Sequence, residues 1–324
     1  MDQDQLIARL PETITSRVKS ASIVQDRAVV VVDASDLDTA QREKTEQTIR
    51  DILGAVPEIS EVRVAMMADR VQRRIVAIGS GKGGVGKSTL TTNLAVALHR
   101  MGRKVGVVDA DIYGPSQPKL LANEGQKPKL SDEKLVPVPS PHGVPSLSMG
   151  HLAKPAQALA WRGPMASNAL GQLIDAQWGD VDLLLVDLPP GTGDVQLSML
   201  QKHKPMGAVI VSTPQDLALI DVARAGQLFE TGGVPIIGLV ENMAGYQCPH
   251  CGEMSDPFGK GGVEAVAGRM DIPFMGRIPL ALPIREAGDS GQPPAAGDSA
   301  EGAAFTDIAG QLARWLDQQQ AAGG

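Results

Sequence analysis

The sequence predicts an α/β protein with a mostly parallel sheet, preceded by a small α+β domain. From residue 74 onward, short apolar runs alternate with stretches of helical periodicity, a pattern typical of parallel strands covered by helices on both faces. A glycine-rich loop joins the first of these runs to the first helix, and the pattern changes near residue 70. We therefore expect one domain over residues 1–70 and a second over residues 74–320.

Composition and charge limit the class of protein further. At 324 residues the chain exceeds one average domain. Its hydrophobic content is 43%, but no apolar run reaches the ~18 residues of a membrane span, and the acidic start of the chain does not look like a signal peptide. A net charge of −7 argues against nucleic acid as the main partner. The two cysteines are too few for a disulfide scaffold. We expect a cytoplasmic protein with no membrane or nucleic-acid partner.

The first 70 residues carry the signals of a small domain with its own helices and strands. Pro11 would stop a first helix, and Gly54 would cap a second, amphipathic one. Polar residues 69–73 then form a linker. In chain order the predicted elements are a helix at residues 3–10, a strand pair or one long strand at 23–32, a helix at 36–53 and a strand at 56–66.

The glycine-rich loop is the strongest chemical signal in the chain. It matches the pattern G-x-x-x-x-G-K-[ST], in which backbone N–H groups surround a polyphosphate, the lysine reaches the terminal phosphates and the hydroxyl binds Mg²⁺. The strand Arg74–Gly79 enters the loop, and a helical pattern that ends near Gly102 leaves it. This context favours a nucleotide triphosphate site over a glycine turn that only packs a helix on a sheet. The loop residues are Gly81, Lys82, Gly83, Gly84, Val85, Gly86, Lys87, Ser88 and Thr89.

Further elements follow the loop in alternation. Residues 113–145 are rich in proline and polar side chains and predict an extended insertion. Residues 305–316 predict a last amphipathic helix with a flexible tail after it. Ligands of such sheets bind at the carboxyl ends of the strands, so residues at these ends are candidates for the site. The strands are predicted at residues 104–108, 181–186, 208–212 and 236–241, and a helix at 218–230.

Acidic residues stand at the ends of two of these strands. Asp187 has the position of a Walker B aspartate, which would hold the magnesium shell opposite Ser88. The turn at residues 189–194 could sense a γ-phosphate. Asp109 and Asp111 end another strand, and we assign Asp111 to the attacking water because it lies farther out on the loop. The alternatives are a solvent-facing strand end for Asp187 and turn-capping roles for the other two.

The two cysteines, Cys248 and Cys251, form a C-x-x-C pair. Two thiolates at this spacing can hold one edge of a metal centre, and Gly252 would supply the tight turn. One chain offers half of a four-thiolate site unless His250 contributes a ligand. A redox-active pair and two inert thiols are the alternatives, and the spacing favours metal binding.

Together these motifs resemble a known family. Residues 81–88 resemble the deviant Walker A motif of the MinD/nitrogenase iron protein group of P-loop ATPases, and residues 109–116, 161–165 and 187–194 agree with that group. With the C-x-x-C pair, the chain closely resembles the Mrp/ApbC family of iron–sulfur cluster carrier ATPases over residues 74–320. The N-terminal part looks like the small iron–sulfur assembly domain often fused to bacterial members, but it lacks the cysteine that such domains commonly carry.

The resemblance implies an ATP-binding homodimer with a [4Fe–4S] cluster at its interface. It implies that Lys82 contacts the nucleotide across the dimer, and that Lys87, Ser88 and Thr89 bind phosphates and Mg²⁺. Asp111 and Asp187 would lie in the switch regions, and Asn242 would contact the adenine base. Cys248 and Cys251 of both subunits would ligate the cluster.

The leading interpretation is a slow, Mg²⁺-dependent ATPase that holds a cluster transiently and passes it to apo iron–sulfur proteins. A spatial-organisation ATPase of the MinD or ParA kind is one alternative. Against it, the helix at residues 305–316 lacks the basic face that anionic lipid attracts, and an acidic chain binds DNA poorly. A zinc-stapled nucleotide-binding protein is the other alternative, because zinc also accepts four thiolates.

Overall fold

The chain divides into two compact units, Met1–Gln72 and Arg73–Gly324. Residues 69–72 of the predicted linker, and Trp161, Arg162 and Gly163 of the predicted motif, lie outside the described residues. The computed structural model describes residues 3–24, 26–34, 37, 39–67, 73–131, 133–152 and 164–323.

The first unit is a three-stranded sheet with helices. Its strands are β1 (Val18–Val24), β2 (Arg27–Asp33) and β3 (Glu61–Met67), and its helices are α1 (Gln3–Ile7), α2 (Glu12–Thr15) and α3 (Thr39–Gly54). β1 and β2 are antiparallel, and β3 pairs with β2 in parallel. The apolar core includes Leu6, Val30, Val32, Ile49 and Leu53. The fold of this unit is the α+β arrangement that its sequence predicts.

Two details of this unit refine the prediction. The segment at residues 23–32 is a strand pair and not one long strand, since β1 and β2 form a hairpin. β3 begins five residues later than residue 56 because the preceding residues turn inward: Val56 N–H donates to Leu53 O, and Ile59 N–H donates to Val56 O. Val56 and Ile59 are buried in the core.

The second unit is built on a seven-stranded sheet in which every neighbouring pair is parallel. Its strands and those of two small ribbons are β4 (Arg74–Gly79), β5 (Val105–Asp109), β6 (Lys129–Ser131), β7 (Lys134–Val136), β8 (Ser146–Ser148), β9 (Leu183–Asp187), β10 (Gly207–Ser212), β11 (Ile236–Asn242), β12 (Tyr246–Gln247), β13 (Met254–Ser255) and β14 (Phe274–Ile278). The order in the large sheet is β14-β11-β10-β4-β9-β5-β8. This arrangement confirms the predicted α/β class.

Helices cover both faces of this sheet. Ala77 of β4 belongs to one hydrophobic core, and its neighbours Val76 and Ile78 belong to the other, as expected for a strand buried on both faces. The helices are α4 (Lys87–Arg100), α5 (Gln117–Leu120), α6 (Met149–Leu152), α7 (Pro164–Ile174), α8 (Asp194–Ser198), α9 (Asp216–Thr231), α10 (Gly262–Met270), α11 (Leu282–Asp289) and α12 (Ala300–Gly323), with a π-helical turn at Met199–His203 and a 3-10 turn at Pro294–Ala296.

The apolar pattern predicts the five inner strands of the sheet and misses its two edges, β8 and β14. β8 has only three residues, and Ser146 and Ser148 flank its single apolar side chain although all three are buried. β14 contains Gly276 and Arg277. Short strands with polar or small residues carry no readable alternation, so only their pairing in the sheet identifies them.

Two other segments differ from the prediction. Residues 113–145 are not simply extended, because they include α5 and the antiparallel ribbon of β6 and β7. The predicted flexible tail is wrong, since α12 continues to Gly323. Phe305 and Leu312 anchor this helix in a core. The residues after Leu316 are mostly glutamine and alanine, which have good helix propensity and extend it.

Candidate functional site

The candidate nucleotide site begins where β4 ends, at the loop that leads into α4. Gly84 and Gly86 have φ angles of +77° and +87°, a left-handed conformation that glycine adopts without steric cost. A Cβ atom on Gly86 would lie 2.0 Å from Nδ2 of Asn242. The loop therefore requires glycine here for its backbone conformation and for the close approach of β11.

The loop borders an open cleft of about 350 Å³, a volume within the range of small-molecule sites. Asp111 and Gly114 follow β5, Pro190 follows β9 and Met243 follows β11, and all four line the cleft. The carboxyl ends of four parallel strands thus meet at one place, which is where sheets of this kind bind ligands. The loop and helix residues in the wall are Ser80, Lys82, Gly83, Gly84, Val85, Gly86, Lys87, Ser88 and Thr89.

Lys87 and Asp187 form a buried ion pair at the start of α4. The side chain of Lys87 is 6% exposed and that of Asp187 is fully buried. Lys87 Nζ donates to Oδ1 of Asp187, which also accepts a hydrogen bond of 3.3 Å from Thr91 Oγ1. A buried carboxylate needs such a charge partner and hydrogen bonds to be tolerated. Asp187 is therefore not a solvent-facing strand end.

Asp109 lies at the end of β5 and is fully buried. Its carboxylate accepts backbone N–H groups of Asp111, Ser116 and Gln117 at 3.0–3.1 Å, and the hydroxyl of Ser148 at 2.9 Å. These bonds cap the turn after the strand, which is the alternative role that the sequence predicts for Asp109. Asp109 therefore organises the segment that follows it.

Asp111 has a different position, in the wall of the cleft. Its Oδ1 accepts the backbone N–H groups of Tyr113 and Gly114, each at 3.1 Å. The carboxylate is half-exposed and held by its own loop. It is the acidic side chain of this segment that faces the candidate phosphate site.

Asp109 supports a prediction on pH dependence. Burial raises its pKa from 3.8 to about 7, and the negative charge of Asp187 adds to the shift. Because the folded state holds this proton more tightly than the unfolded chain, its contribution to stability is present at low pH and falls as the pH rises from about 4 to about 7. An amide at this position does not titrate. We expect the stability advantage of the unsubstituted protein over Asp109→Asn to shrink across this window.

Denaturant unfolding of both proteins at pH ~4.5 and ~7.5 measures this difference. Carboxylates far from Asp109 contribute equally to both proteins, so the difference between the two curves reports Asp109 together with its interaction with Asp187. A constant difference in the free energy of unfolding at the two pH values would contradict the raised pKa.

Gln117 is a site residue that the sequence does not reveal. It begins α5 and is fully buried. Its Nε2 donates to Oδ2 of Asp187 at 2.9 Å and to the carbonyl of Ser88 at 3.0 Å. The sequence contained one signal for the start of a helix at this residue: Ser116 followed by Pro118, a pair typical of a helix N-terminus. The prediction of an extended insertion over residues 113–145 hid it.

Lys82 lines the cleft, and its Nζ donates to Oε1 of Gln215 at 3.0 Å. The neighbouring loop residue, Gly81, packs tightly on α9, since a Cβ atom on it would lie 2.3 Å from Cβ of Asp221. Within this chain the ammonium of Lys82 thus has a neutral partner, whereas that of Lys87 is paired with a carboxylate.

Asn242 ends β11 beside the loop. Its Nδ2 donates to the carbonyl of Val85 at 2.8 Å. Glu241, which precedes it, is fully buried and accepts the N–H of Val263 and Nε of Arg277, both at 2.9 Å. These bonds fix the end of β11 to α10 and β14, so the contact between Asn242 and the loop is made from a firmly held strand.

The two cysteines lie on a hairpin that leaves β11. β12 and β13 are its stem, and Cys248 N–H donates to Glu253 O at 2.9 Å. Gly252 has a φ angle of +75°, and its N–H donates to Cys248 O at 2.8 Å, which closes the tight turn. Cys248 is half-buried and Cys251 is exposed. Both thiols are therefore within reach of a partner at the surface.

The backbone of this turn acts on the first thiol. The N–H groups of Cys251 and His250, and the Cys251 thiol, donate to Cys248 and lower its pKa below the ordinary value. The thiolate is the form that binds metals. Among the described residues, no group of three or more His, Cys, Asp or Glu side chains is placed to hold a metal ion. His250 thus does not complete a site with the two cysteines in one chain.

The glycine loop with its lysine, the aspartate at the end of β9 and the all-parallel sheet define a P-loop NTPase. Among the described residues, no helix has both the length and the apolar character that crossing a membrane would take. The chain belongs to the ParA family, described as NUBPL iron-transfer P-loop NTPase, whose model matches residues 71–313.

Similar proteins agree with this assignment. The iron–sulfur cluster carrier protein of Pseudomonas fragi is 48% identical over 229 residues, which cover 70% of this chain and 79% of that protein. A nucleotide-binding protein of Archaeoglobus fulgidus, solved in complex with ADP, is 42% identical with a TM-score of 0.59, over 68% of this chain and 86% of its own. The cell division ATPase MinD of Pyrococcus furiosus is 26% identical with a TM-score of 0.56, over 75% and 99%. The predicted resemblance to iron–sulfur cluster carrier ATPases is confirmed.

Proposed function

We propose that this protein binds and hydrolyses ATP, holds a [4Fe–4S] cluster between two copies of the chain, and transfers it to apo iron–sulfur proteins. The observation that carries the proposal is that β11 leads from the nucleotide cleft to the cysteine hairpin. β11 ends at Asn242, whose amide donates to the loop carbonyl of Val85, and the hairpin that carries the cysteines begins at Tyr246. A short stretch of chain therefore connects the nucleotide cleft with a pair of metal-binding thiols.

The cleft supports the ATP-hydrolysing part of the proposal. ATP would lie with its phosphates among the loop N–H groups, with Lys87 and Thr89 as further contacts. Ser88 would bind Mg²⁺ and Asp187 would hold the magnesium shell opposite it; the ion neutralises the charge on the phosphates when it is bound. The residues fit this ion, because a hydroxyl and a carboxylate are oxygen ligands of the type that Mg²⁺ takes. Asp111, in the wall of the cleft, would orient the attacking water.

Two residues extend the site beyond one phosphate loop. Lys82 would leave Gln215 and contact the nucleotide of the second copy, which makes ATP binding and dimer formation mutually dependent. Asn242 would contact the adenine base from the end of β11. Hydrolysis would be slow, because a carrier or switch ATPase gains nothing from fast turnover without a partner.

The cluster is cargo and the thiolates are its ligands. A cubane cluster takes four thiolates, and each chain supplies Cys248 and Cys251. A two-fold axis between the two hairpins would bring four thiolates together. The exposure of Cys251 supports transfer, because thiols of an apoprotein could displace such ligands one at a time. The lowered pKa of Cys248 supports ligation by the thiolate.

The two units would have separate functions. Residues 74–320 would form the ATPase domain with its cysteine hairpin. Residues 1–70 would be a domain of the iron–sulfur assembly type, acting without a cysteine of its own.

Anaerobic reconstitution with ferrous iron and sulfide tests this function on the full chain. We expect visible absorbance, iron and sulfide in the dimer fraction, slow Mg²⁺-dependent ATP hydrolysis, and activation of an apoprotein that accepts a [4Fe–4S] cluster. Tightly bound zinc without visible absorbance after reconstitution would support the zinc-stapled alternative. ATP hydrolysis that rises with anionic vesicles or DNA, and not with apoprotein, would support a spatial-organisation ATPase.

A further inference from the structure

Gln117 connects three parts of the nucleotide site through its buried side chain. Its Nε2 donates to Oδ2 of Asp187 and to the carbonyl of Ser88, at 2.9 and 3.0 Å. Its Oε1 accepts the hydroxyl of Thr92 at 2.6 Å. The NH₂ group of the amide therefore donates two hydrogen bonds and its carbonyl oxygen accepts one, so the buried polar side chain has hydrogen-bond partners for all its groups.

These bonds determine how the Asp187 carboxylate is held. Oδ1 is engaged by Lys87 and Thr91, both from α4. Oδ2 is engaged by Gln117, from the segment after β5. The two oxygens are thus held from two different elements, and the plane of the carboxylate depends on both. The same amide keeps Asp187 close to the backbone of Ser88.

The segment that carries Gln117 also lines the phosphate cleft. The backbone N–H groups of Ser116 and Gln117 donate to Asp109 Oδ2 at 3.0 and 3.1 Å, and Asp111 of the same segment lies in the wall of the cleft. A displacement of this segment would move the Gln117 amide, and with it the direction from which Asp187 is held. Gln117 therefore joins the segment of the cleft wall to the aspartate by a hydrogen bond.

We propose that Gln117 is a positioning residue for ATP hydrolysis: by holding the backbone of Ser88 and the carboxylate of Asp187, its amide fixes the spacing of the two residues of the candidate magnesium site. This inference rests on the proposed ATP-hydrolysing function. The amide donates to the Asp187 carboxylate and to the backbone carbonyl of Ser88, so it holds both residues of the candidate metal site.

The test is the magnesium dependence of ATP hydrolysis in Gln117→Met, on the full chain. Methionine is also unbranched and of similar length, but it donates no hydrogen bond. We expect the Mg²⁺ concentration for half-maximal hydrolysis to rise about tenfold or more, the size typical for loss of an outer-shell partner. Affinity for ATP measured without Mg²⁺ is expected to stay within about threefold, because the phosphate contacts of the loop are intact.

Thr92→Val is the matched control. It removes the other hydrogen bond of the Gln117 amide, at an equally buried position of α4, but leaves both donors to Asp187 and Ser88 in place. It should lower thermal stability and keep the magnesium dependence of the unsubstituted protein. Gln117→Asn is the second variant, in case the methionine variant does not fold. It keeps a neutral amide whose reach is shorter by one methylene, and we expect it to shift the magnesium dependence in the same direction.

Two results would overturn the inference. One is a folded Gln117→Met or Gln117→Asn protein with unchanged magnesium dependence. The other is a shift of equal size in Thr92→Val, which would make the effect one of packing alone. If the unsubstituted protein neither binds nor hydrolyses ATP, the proposed function itself fails. If the unsubstituted protein hydrolyses ATP and only the variants behave otherwise than expected, the inference on Gln117 fails alone.

Discussion

Replacement of Lys87 by alanine is expected to abolish ATP hydrolysis and to weaken ATP binding severely. In the proposed site the ammonium of Lys87 would be the point charge that contacts the terminal phosphates, and alanine cannot replace it. The change also leaves Asp187 buried without its charge partner. Loss of one member of a buried ion pair costs about 3–5 kcal/mol, so we expect a large fall in the free energy of unfolding as well.

A double variant separates the two effects. Lys87→Met with Asp187→Asn removes both charges, so the stability cost should be smaller than that of Lys87→Ala. ATP binding and hydrolysis should remain absent, because the phosphate contact is still missing. Equilibrium dialysis with ATP, turnover assays and thermal unfolding measure the three quantities. Normal ATP affinity and turnover in a folded Lys87→Ala protein would disprove the assignment of the nucleotide site.

Replacement of either cysteine by serine is expected to remove bound iron and sulfide while ATP binding persists. In the proposed dimer each chain would contribute two of the four thiolates that a cubane cluster takes, so loss of Cys248 or Cys251 would remove two ligands. Neither cysteine is among the residues that line the nucleotide cleft. Iron and sulfide analysis combined with gel filtration of reconstituted protein measures the outcome.

His250→Ala is the matched control for this prediction. It changes the same turn but keeps both thiols, and we expect it to retain the cluster and the dimer. The ratio of cluster to chain is informative in the unsubstituted protein, where bridging predicts one cluster for two chains. One full cluster in each single chain, or a cluster retained after both cysteines are replaced, would rule out a shared site.

Local patterns predicted the nucleotide loop because all of its parts are adjacent in the chain. Residues 81–89 follow a buried strand and open a helix, and each of these signals is visible within a few positions. The cysteine pair was visible for the same reason. The inner strands were predicted from continuous apolar runs, whereas β8 and β14 have too few apolar residues for such a run.

Contacts between distant residues had no comparable signal. Gln117 looks like one polar residue in a segment rich in proline, and nothing near it in the sequence indicates that it is buried. The two groups to which its amide donates, on Ser88 and Asp187, are 29 and 70 positions away. The separate positions of Asp109, fully buried, and Asp111, in the cleft wall, also follow from the turn that the structure builds after β5.

The sequence by itself determined the α/β class, the phosphate loop, the acidic strand ends and the cysteine pair, because periodicity and short motifs depend on neighbouring residues. The tertiary structure alone decided that Lys87 and Asp187, 100 positions apart, form a buried ion pair, that Gln117 holds the second oxygen of that aspartate, and that Asn242 contacts the loop at Val85. The physical reason is that a buried polar group must find its partner wherever the fold brings one within hydrogen-bond distance.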